Sequence, residues 1–317
     1  MKKFIIKSLV FFGLFVFCCY SLDYMISTGL KRMEDYRFQT WNNIIDSKIN
    51  ADVIVMGNSR AFCHYVPVVI DSVLQVNSYN LGIGGHQFNV QYLRYKLYEE
   101  HNKKPRLIIQ NVDFLTLNQS VIGHEREQIL PFVSDSLLRS NLQNYGFSVG
   151  EIYLPLYRYV GYKQIVKNGL LEFLGITHYH SQPSFKGYMP EVGVWDGTEL
   201  NKLKTIEPDM NPVTIRLFDE FLSHCKKNNI QVVLVNSPVY YKASLKLNQK
   251  EQFDNLIKGF STKYNIPYFD YTTNPICNDS TLFHVAVHLN EKGAEIFSKK
   301  LANDIKLCIM KVKKINI

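Results

Sequence analysis

Short runs of consecutive apolar residues alternate with longer segments of helical periodicity, and this alternation limits the possible folds of the chain more than any other feature. The apolar runs predict strands at 52–56, 76–81, 107–112, 231–236 and 267–269. The periodic segments predict helices at 65–74, 87–100, 214–226, 252–263 and 291–305. Strands that are apolar throughout are typical of a parallel sheet covered by helices on both faces. The sequence therefore predicts a three-layer α/β/α fold with a flavodoxin-like sheet of about five strands.

The N-terminal segment predicts a membrane anchor. Lys2 and Lys3 precede an apolar run from Phe4 to Leu22, which only Lys7 interrupts. A signal peptide also fits, but its apolar core usually has about 7–15 residues, and no small-x-small cleavage pattern follows this run. An uncleaved transmembrane helix over residues 1–23 is therefore favoured, with its lysines on the cytoplasmic side and the rest of the chain outside.

The anchor is followed by a polar, helix-compatible juxtamembrane segment at 24–50, and the α/β domain is expected over 51–317. Residues from about 117 to 205 break the strand–helix rhythm and are too many for an ordinary connection, so they predict an inserted cap region. The insertion is aromatic. Sugar stacking and core filling both explain its large side chains, and core filling is favoured for each one: Tyr153, Tyr157, Tyr159, Tyr162, Tyr179, Tyr188 and Trp195.

A serine lies where the first apolar strand meets a tight turn, in Val53-Ile-Val-Met-Gly-Asn-Ser59-Arg60. An α/β enzyme displays its nucleophile at this position, at the carboxyl end of a parallel strand. Because a serine hydroxyl is a weak nucleophile, it needs a base to remove its proton and donors to stabilise the oxyanion. The alternative is that Gly57, Asn58 and Ser59 simply cap the next helix.

A histidine far downstream is the natural base for this serine. His288 stands just before the last predicted helix, and Asn290 is a suitable cap for that helix. The start of a helix that follows a strand lies at the same rim as the strand end that carries Ser59. An ordinary surface histidine in a capping region is the alternative interpretation.

Candidate oxyanion donors follow the second and third strands. Gly85 ends the turn Asn80-Leu-Gly-Ile-Gly-Gly85, and Asn111 ends the third strand, so the amides of Ser59 and Gly85 and the side chain of Asn111 form the predicted oxyanion hole. Structural roles are the alternatives: a turn with positive φ for the glycine and a strand-end hydrogen bond for the asparagine. Asp113, two residues on, points to the same side as Asn111 if the strand continues.

These parts, in this order, resemble the SGNH/GDSL hydrolase superfamily. The motifs are Gly-x-Ser at 57–59, the glycine turn, the strand-end Asn111 and His-Leu-Asn-x-x-Gly-Ala at 288–294. The resemblance covers about residues 50–116 and 206–305, and is closest to the membrane-anchored bacterial branch with Gly-Asn-Ser-Arg in place of Gly-Asp-Ser. It implies Ser59 as nucleophile, His288 as base and Ser59, Gly85 and Asn111 as oxyanion donors. It also implies esterase or acyltransferase activity.

The chain departs from the pattern at the acid of the triad. Members usually carry Asp-x-x-His, whose aspartate orients the imidazole, whereas this chain has Val285 in that place. A Ser–His dyad is one expectation. Asp279 and Asp113 are the candidates for a substitute acid.

Two functions remain open at this stage. The first is a serine esterase or O-acyltransferase, anchored in the bacterial inner membrane with its domain on the periplasmic side. It would act on acyl groups of a cell-envelope polysaccharide or on a small ester. The second is a catalytically degenerate relative that serves as a glycan-binding or assembly component, with Val285 as the mark of lost catalysis.

Other functional classes are disfavoured by composition and spacing. The net charge of +8 is spread along the chain without a dense basic stripe, so nucleic-acid binding is not expected. His284 and His288 have the i, i+4 spacing of a zinc helix, but the glutamate of His-Glu-x-x-His is missing, so neither a metal nor a cofactor is predicted. The six cysteines lack metal-type spacing, and free buried thiols are the favoured interpretation.

Overall fold

The computed structural model describes residues 1–119, 122, 125–178, 184–198, 200 and 205–315. It divides the chain into two compact units. One contains residues 1–42 and 121–183, and the other contains residues 43–120 and 184–317. Tyr179, one of the predicted insertion aromatics, lies outside the described residues.

The helices of the described chain are α1 (Lys2–Arg32), α2 (Tyr36–Ile45), α3 (Ser59–His64), α4 (Pro67–Leu74), α5 (Phe88–His101), α6 (Ser136–Asn141), α7 (Val149–Tyr153), α8 (Lys163–Phe173), α9 (Pro212–Lys227), α10 (Tyr241–Ser244), α11 (Lys250–Tyr264) and α12 (Glu291–Ile315). The strands are β1 (Val53–Met56), β2 (Ser78–Asn80), β3 (Leu107–Asn111), β4 (Gln231–Asn236), β5 (Tyr268–Asp270), β6 (Phe283–Val285) and β7 (His288–Leu289).

The second unit is built on a five-stranded parallel sheet in the order β2-β1-β3-β4-β5. This order corresponds to the flavodoxin-like 2-1-3-4-5 arrangement, in which the chain reverses direction at β1 and β3. The residues of β1 and β3 are buried throughout, as expected for strands covered on both faces. The predicted α/β fold is therefore confirmed, and each of the five predicted strands is present.

Helical layers cover the sheet because successive strand residues point to opposite faces. Val55, Ile109 and Val235 share one face and pack with α4 and α12, whose Phe297 is fully buried. On the other side of the alternation, α9 contacts β4, α11 contacts β5, and both helices contact each other. The sheet ends that matter below are the carboxyl ends of β1, β3 and β4.

A short antiparallel hairpin connects this sheet to the last helix. Strand β6 pairs with β7, with Val285 opposite His288. Asn290 follows the hairpin and accepts a hydrogen bond from the backbone amide of Gly293 at 3.0 Å, so it caps α12. The hairpin was not predicted as such, although the run Val285-Ala286-Val287 reads as extended chain.

The first unit is centred on α1, which packs closely against α8. A Cβ at Gly29 would lie 1.8 Å from the carbonyl oxygen of Gly169, so the two backbones touch where the helices cross. Ser27 Oγ and Tyr159 Oη hydrogen-bond at 2.8 Å, and Asp23 forms an ion pair with Arg158. These contacts bring the C-terminal part of α1 together with residues of the predicted insertion.

The remainder of α1 is exposed, and within the described residues α1 is the helix long and apolar enough to cross a membrane; a signal sequence has the same features. The helix runs through position 23, where the sequence analysis placed the end of the anchor. The predicted insertion is divided as well, because residues 121–183 group with residues 1–42 and residues 184–205 with the α/β unit. Its aromatic residues are mixed, since Tyr159 and Trp195 are buried whereas Tyr153 is exposed.

Candidate functional site

Ser59 lies at the carboxyl end of β1, on a turn that requires glycine. Gly57 has a φ of 152°, and a Cβ there would lie 2.5 Å from the Cβ of Ala61 and 2.8 Å from that of Asn111. A larger residue would therefore push the turn away from β3. Ser59 is the first residue of α3 and is half-buried, so its hydroxyl remains within reach of a ligand.

The turn is held by buried polar contacts with the neighbouring strand ends. Asn58 caps α3 by accepting a hydrogen bond from the Arg60 amide at 3.1 Å, and its Nδ2 donates to the Asp113 carboxylate at 2.6 Å. The Arg60 guanidinium donates to Asn236 Oδ1 at 3.1 Å and to the carbonyl oxygen of Ser237. Capping and display of the serine are therefore compatible, since the residue that caps the helix also fixes Ser59.

The structure brings Ser59 and His288 together across 229 positions of sequence. His288 Nε2 lies 2.9 Å from Ser59 Oγ, which is hydrogen-bonding distance. His288 is in β7, two residues before the cap of α12, so hairpin and helix start together set its position. This is the geometry that a nucleophile and its general base require.

A residue that the sequence analysis missed lies at the other ring nitrogen. In the described part of the chain, the carboxylate within 4 Å of a His288 nitrogen belongs to Glu191, whose Oε1 is 3.9 Å from Nδ1. Its Oε2 is 3.5 Å from Nε2 of His284. The Glu191 side chain is 34% exposed, so it is more accessible than a fully buried triad acid. Nothing in its local sequence or its spacing from His288 marks Glu191 in advance.

The segment that carries Glu191 is tied to the hairpin and to α12 by backbone hydrogen bonds. The Glu291 amide donates to the carbonyl oxygen of Glu191 at 3.0 Å. His284 Nδ1 donates to the carbonyl oxygen of Val192 at 2.8 Å, so its ring is oriented with Nε2 toward the carboxylate. Glu191 therefore does not hang from a free loop, since both neighbours of the imidazole also hold its backbone.

The two acids nominated from sequence are engaged elsewhere, which corrects that expectation. Asp113 accepts hydrogen bonds from Asn58 Nδ2 and from the Leu115 amide, so it braces the Ser59 turn. Asp279 is exposed and accepts from the amide and hydroxyl of Thr281 at 3.0 and 2.6 Å; these two bonds lower the pKa of its carboxyl. Asp279 thus caps a turn rather than orienting an imidazole.

A second histidine links the two sides of the site. His64, at the end of α3, is fully buried and accepts a hydrogen bond from the Leu289 amide at its Nε2, at 3.0 Å. Its Nδ1 then carries the proton and donates to Ser237 Oγ at 3.0 Å. Burial, with the nearby Arg60 charge, holds the pKa of His64 well below its usual range, so the ring is neutral. His64 therefore fixes the residue next to His288, a role that no sequence motif indicated.

Asn111 lies beside the turn with its amide oriented. Its Oδ1 accepts a hydrogen bond from the Tyr65 hydroxyl at 2.7 Å, which leaves Nδ2 as the free end. This Nδ2 is buried and has no hydrogen-bond partner among the described residues. A buried donor without a partner is costly, and such groups are common where a ligand atom is expected.

Gly85, the other predicted oxyanion donor, lies in the exposed turn after β2 and has a φ of 72°. The same loop touches the Ser59 turn, since the Ile83 amide donates to the carbonyl oxygen of Gly57 at 3.0 Å. Gly82 packs directly on α3, where a Cβ would lie 2.6 Å from the Phe62 nitrogen. The loop therefore lies at the site, and the donor role of Gly85 stays a prediction.

The electrostatic surroundings keep His288 neutral. Burial lowers the pKa of His288 to about 4, and the positive charges of Arg60 and His284 act in the same direction, while the Asp113 carboxylate opposes them. A neutral imidazole with its Nε2 toward a hydroxyl accepts a proton rather than donating one. The ring is thus in the protonation state that a general base needs at neutral pH.

Three side chains around the imidazole include potential metal ligands. Cys63, Glu191 and His288 present ligand atoms within 4.8 Å of one another. Burial raises the pKa of the Cys63 thiol well above its usual range, and the thiol donates to the carbonyl oxygen of Ser59 at 3.0 Å. Since a cysteine binds metal as the thiolate, this donor set is a weak one for a cation.

Comparison with known proteins gives two distant structural similarities. No protein-family model matches the chain, and no curated protein matches it. A "putative acylhydrolase" from Bacteroides fragilis NCTC 9343 is 14% identical over 80% of this chain and 86% of its own, with a TM-score of 0.34. The acetyl xylan esterase AlAXEase is 13% identical over 81% of this chain and 98% of its own, with a TM-score of 0.38.

Proposed function

We propose that this chain is a serine ester hydrolase or acyltransferase, with Ser59 as nucleophile, His288 as base and Glu191 as the acid that orients the imidazole. The contact of 2.9 Å between His288 Nε2 and Ser59 Oγ carries the proposal. A hydroxyl at a strand end, hydrogen-bonded to a neutral imidazole, is the arrangement that acyl transfer requires.

The reaction has two balanced steps. In the first, Ser59 Oγ attacks the ester carbonyl and His288 Nε2 takes the hydroxyl proton. The oxyanion that forms is stabilised by the Ser59 amide, by Asn111 Nδ2 and by the Gly85 amide. The carbon–oxygen bond to the alcohol then breaks, His288 returns its proton to the departing alkoxide, and the acyl group remains on Ser59.

In the second step, water or an acceptor hydroxyl attacks the acyl-enzyme. His288 removes its proton, the tetrahedral oxyanion collapses, and the proton passes to Ser59 Oγ as the acyl group leaves. Hydrolysis and transfer differ only in which hydroxyl enters, so the same three side chains serve both.

Glu191 acts through His288 in this scheme. Burial and the Arg60 charge disfavour an imidazolium, so a negative partner at Nδ1 is needed when the ring takes up the proton. The distance of 3.9 Å is long for a hydrogen bond, but such contacts are often long in free enzymes and shorten as charge develops. Glu191 would thus replace the acid that Val285 does not provide.

We further propose that α1 anchors the protein as a single span in a bacterial inner membrane, with the α/β unit on the periplasmic side. The exposed apolar length of α1 and the lysines that precede it support this orientation. The acceptor or donor would be the acyl groups of a cell-envelope polysaccharide, a substrate class that follows from the sequence resemblance to membrane-anchored SGNH proteins.

The test is covalent labelling of the full-length protein in detergent with a fluorophosphonate, combined with turnover of p-nitrophenyl acetate. Labelling mapped to Ser59 by mass spectrometry is expected, with loss of both labelling and turnover in Ser59→Ala. Ser72→Ala, at an exposed serine of α4, is the matched control and should retain both. Absence of Ser59-dependent labelling and turnover would instead support the non-catalytic, glycan-binding alternative.

A further inference from the structure

An apolar cavity opens directly beside Ser59 and His288. Its volume is about 160 Å³, and it runs along the carboxyl rim of the sheet from β1 past β3 and β4 to Thr272, just after β5. The reacting hydroxyl and the imidazole lie in its wall, so a molecule bound in the cavity is in contact with the site.

Three chain segments supply the apolar surface of this cavity. Phe114 and Leu115 follow β3, Val239 and Ala243 follow β4, and Phe253 comes from the first turn of α11. Apart from Leu115, these side chains are at most 6% exposed, so they form a fixed wall rather than a flexible cover. An apolar wall of this kind gains free energy by removing hydrocarbon from water.

The charged groups of the cavity are neutralised or lie at its edge. Lys250 pairs with Asp254 at 2.7 Å within α11, and Lys246 is exposed. Arg60 is occupied by Asn236 and the Ser237 carbonyl. The interior therefore lacks the cluster of uncommitted donors that a phosphate or a carboxylate needs, and hydrocarbon is the chemistry that it fits.

We propose that this cavity binds the hydrocarbon chain of the acyl group, and that the preferred ester carries an acyl chain of medium length rather than acetyl. This inference rests on the proposed function. A protein cavity of about 150 Å³ lined by aliphatic and aromatic side chains takes up benzene, so a chain of about six carbons fits this space.

The acyl group is the better occupant than the alcohol because it stays bound through both steps. Once Ser59 is acylated, the alcohol must leave so that water or an acceptor can enter, whereas the acyl chain remains attached at the cavity. Interactions with the acyl chain can therefore act in both transition states, while those with the alcohol are lost after the first.

The experiment measures kcat/KM of the full-length protein in detergent for p-nitrophenyl acetate, butyrate, hexanoate and octanoate. Hexanoate should exceed acetate by about 10- to 100-fold, the range that methylene groups in an apolar pocket provide. A second series holds the acyl group at acetyl and lengthens the alcohol, and here little dependence on length is expected. Ser59→Ala, subtracted for each ester, removes background hydrolysis.

Two variants fill the cavity and a third serves as control. Ala243→Phe and Leu247→Trp place bulk in its wall and should lower the hexanoate-to-acetate ratio by about tenfold or more, since overpacking excludes the longer chain. Leu245→Phe, two residues from Ala243 but 78% exposed, should leave the ratio unchanged. Because the ratio is taken within one variant, partial loss of folded protein cancels.

Three results would overturn the inference: acetate as the best substrate, a length dependence that follows the alcohol, or a ratio that neither cavity variant changes. These outcomes differ from failure of the proposed function, in which no ester is turned over in a Ser59-dependent manner.

Discussion

The two sides of the candidate site differ in where their support comes from. The Ser59 turn is held by residues at neighbouring strand ends, such as Asn58 and Asp113, and all of these contacts are buried. His288 is supported by Glu191, from a segment outside the sheet, whose side chain is partly exposed. The nucleophile is therefore fixed by the fold itself, whereas the base depends on contacts added from elsewhere. Four changes test this difference, and they are ordered here by expected effect.

The largest effect is expected on the Ser59 side, at Asn111. Asn111→Ala removes the free buried Nδ2 and should lower kcat by about 10²- to 10³-fold, the usual cost of losing one oxyanion donor. Tyr65→Phe removes the hydrogen bond to Oδ1 but keeps the amide, and should cost less than about tenfold by the same reasoning. Steady-state kinetics on p-nitrophenyl esters measure both. Equal losses in the two variants would show that Asn111 acts through packing.

On the His288 side, Glu191→Gln should lower kcat by about 10- to 100-fold, less than a buried triad acid because this carboxylate is partly exposed and lies 3.9 Å away. Asp279→Asn is the matched control and should change kcat by less than about twofold, because its carboxylate caps a turn. Reversed effects, with Asp279 the more important residue, would return the acid to the position that the sequence suggested.

His64 links the two sides, so its substitution should affect stability and rate together. His64→Leu leaves the buried Leu289 amide without an acceptor, which should lower the free energy of unfolding by about 1–3 kcal/mol. The kcat should fall by about tenfold because the neighbouring His288 loses its fixed position. His64→Gln places an oxygen near the former Nε2 and should restore part of both. Denaturant unfolding and kinetics on the same samples give the comparison.

The smallest effect is a displacement of the acid limb of the pH–rate profile. Because the pKa of His288 is lowered to about 4, kcat/KM should be flat through neutral pH and fall only near pH 4, rather than near the ordinary histidine value of about 6.5. His284→Gln removes a positive neighbour that lowers this pKa, so the limb should move to higher pH by less than about one unit. A limb near pH 6.5 in the unmodified protein would contradict the assigned surroundings of the imidazole.

The same difference decides how much of the molecule could be predicted from sequence. The strands and the Ser59 turn were predictable because apolar runs, glycine and capping residues act over a few neighbouring positions. The pairing of Ser59 with His288 followed from topology, since strand ends and helix starts share one rim. Glu191 was not predictable, because its approach to His288 depends on tertiary hydrogen bonds of an irregular segment. The same holds for the contact of His64 with Leu289.

The most direct test of the central claim, that Glu191 acts through His288 on Ser59, is a double-mutant cycle. The kcat/KM for p-nitrophenyl acetate is measured in Glu191→Gln, in His288→Ala and in the double variant. If the two residues form one unit, the double variant should match His288→Ala within about threefold, since no imidazole remains for the carboxylate to orient. Losses that multiply in the double variant would contradict the account, because Glu191 would then act independently of His288.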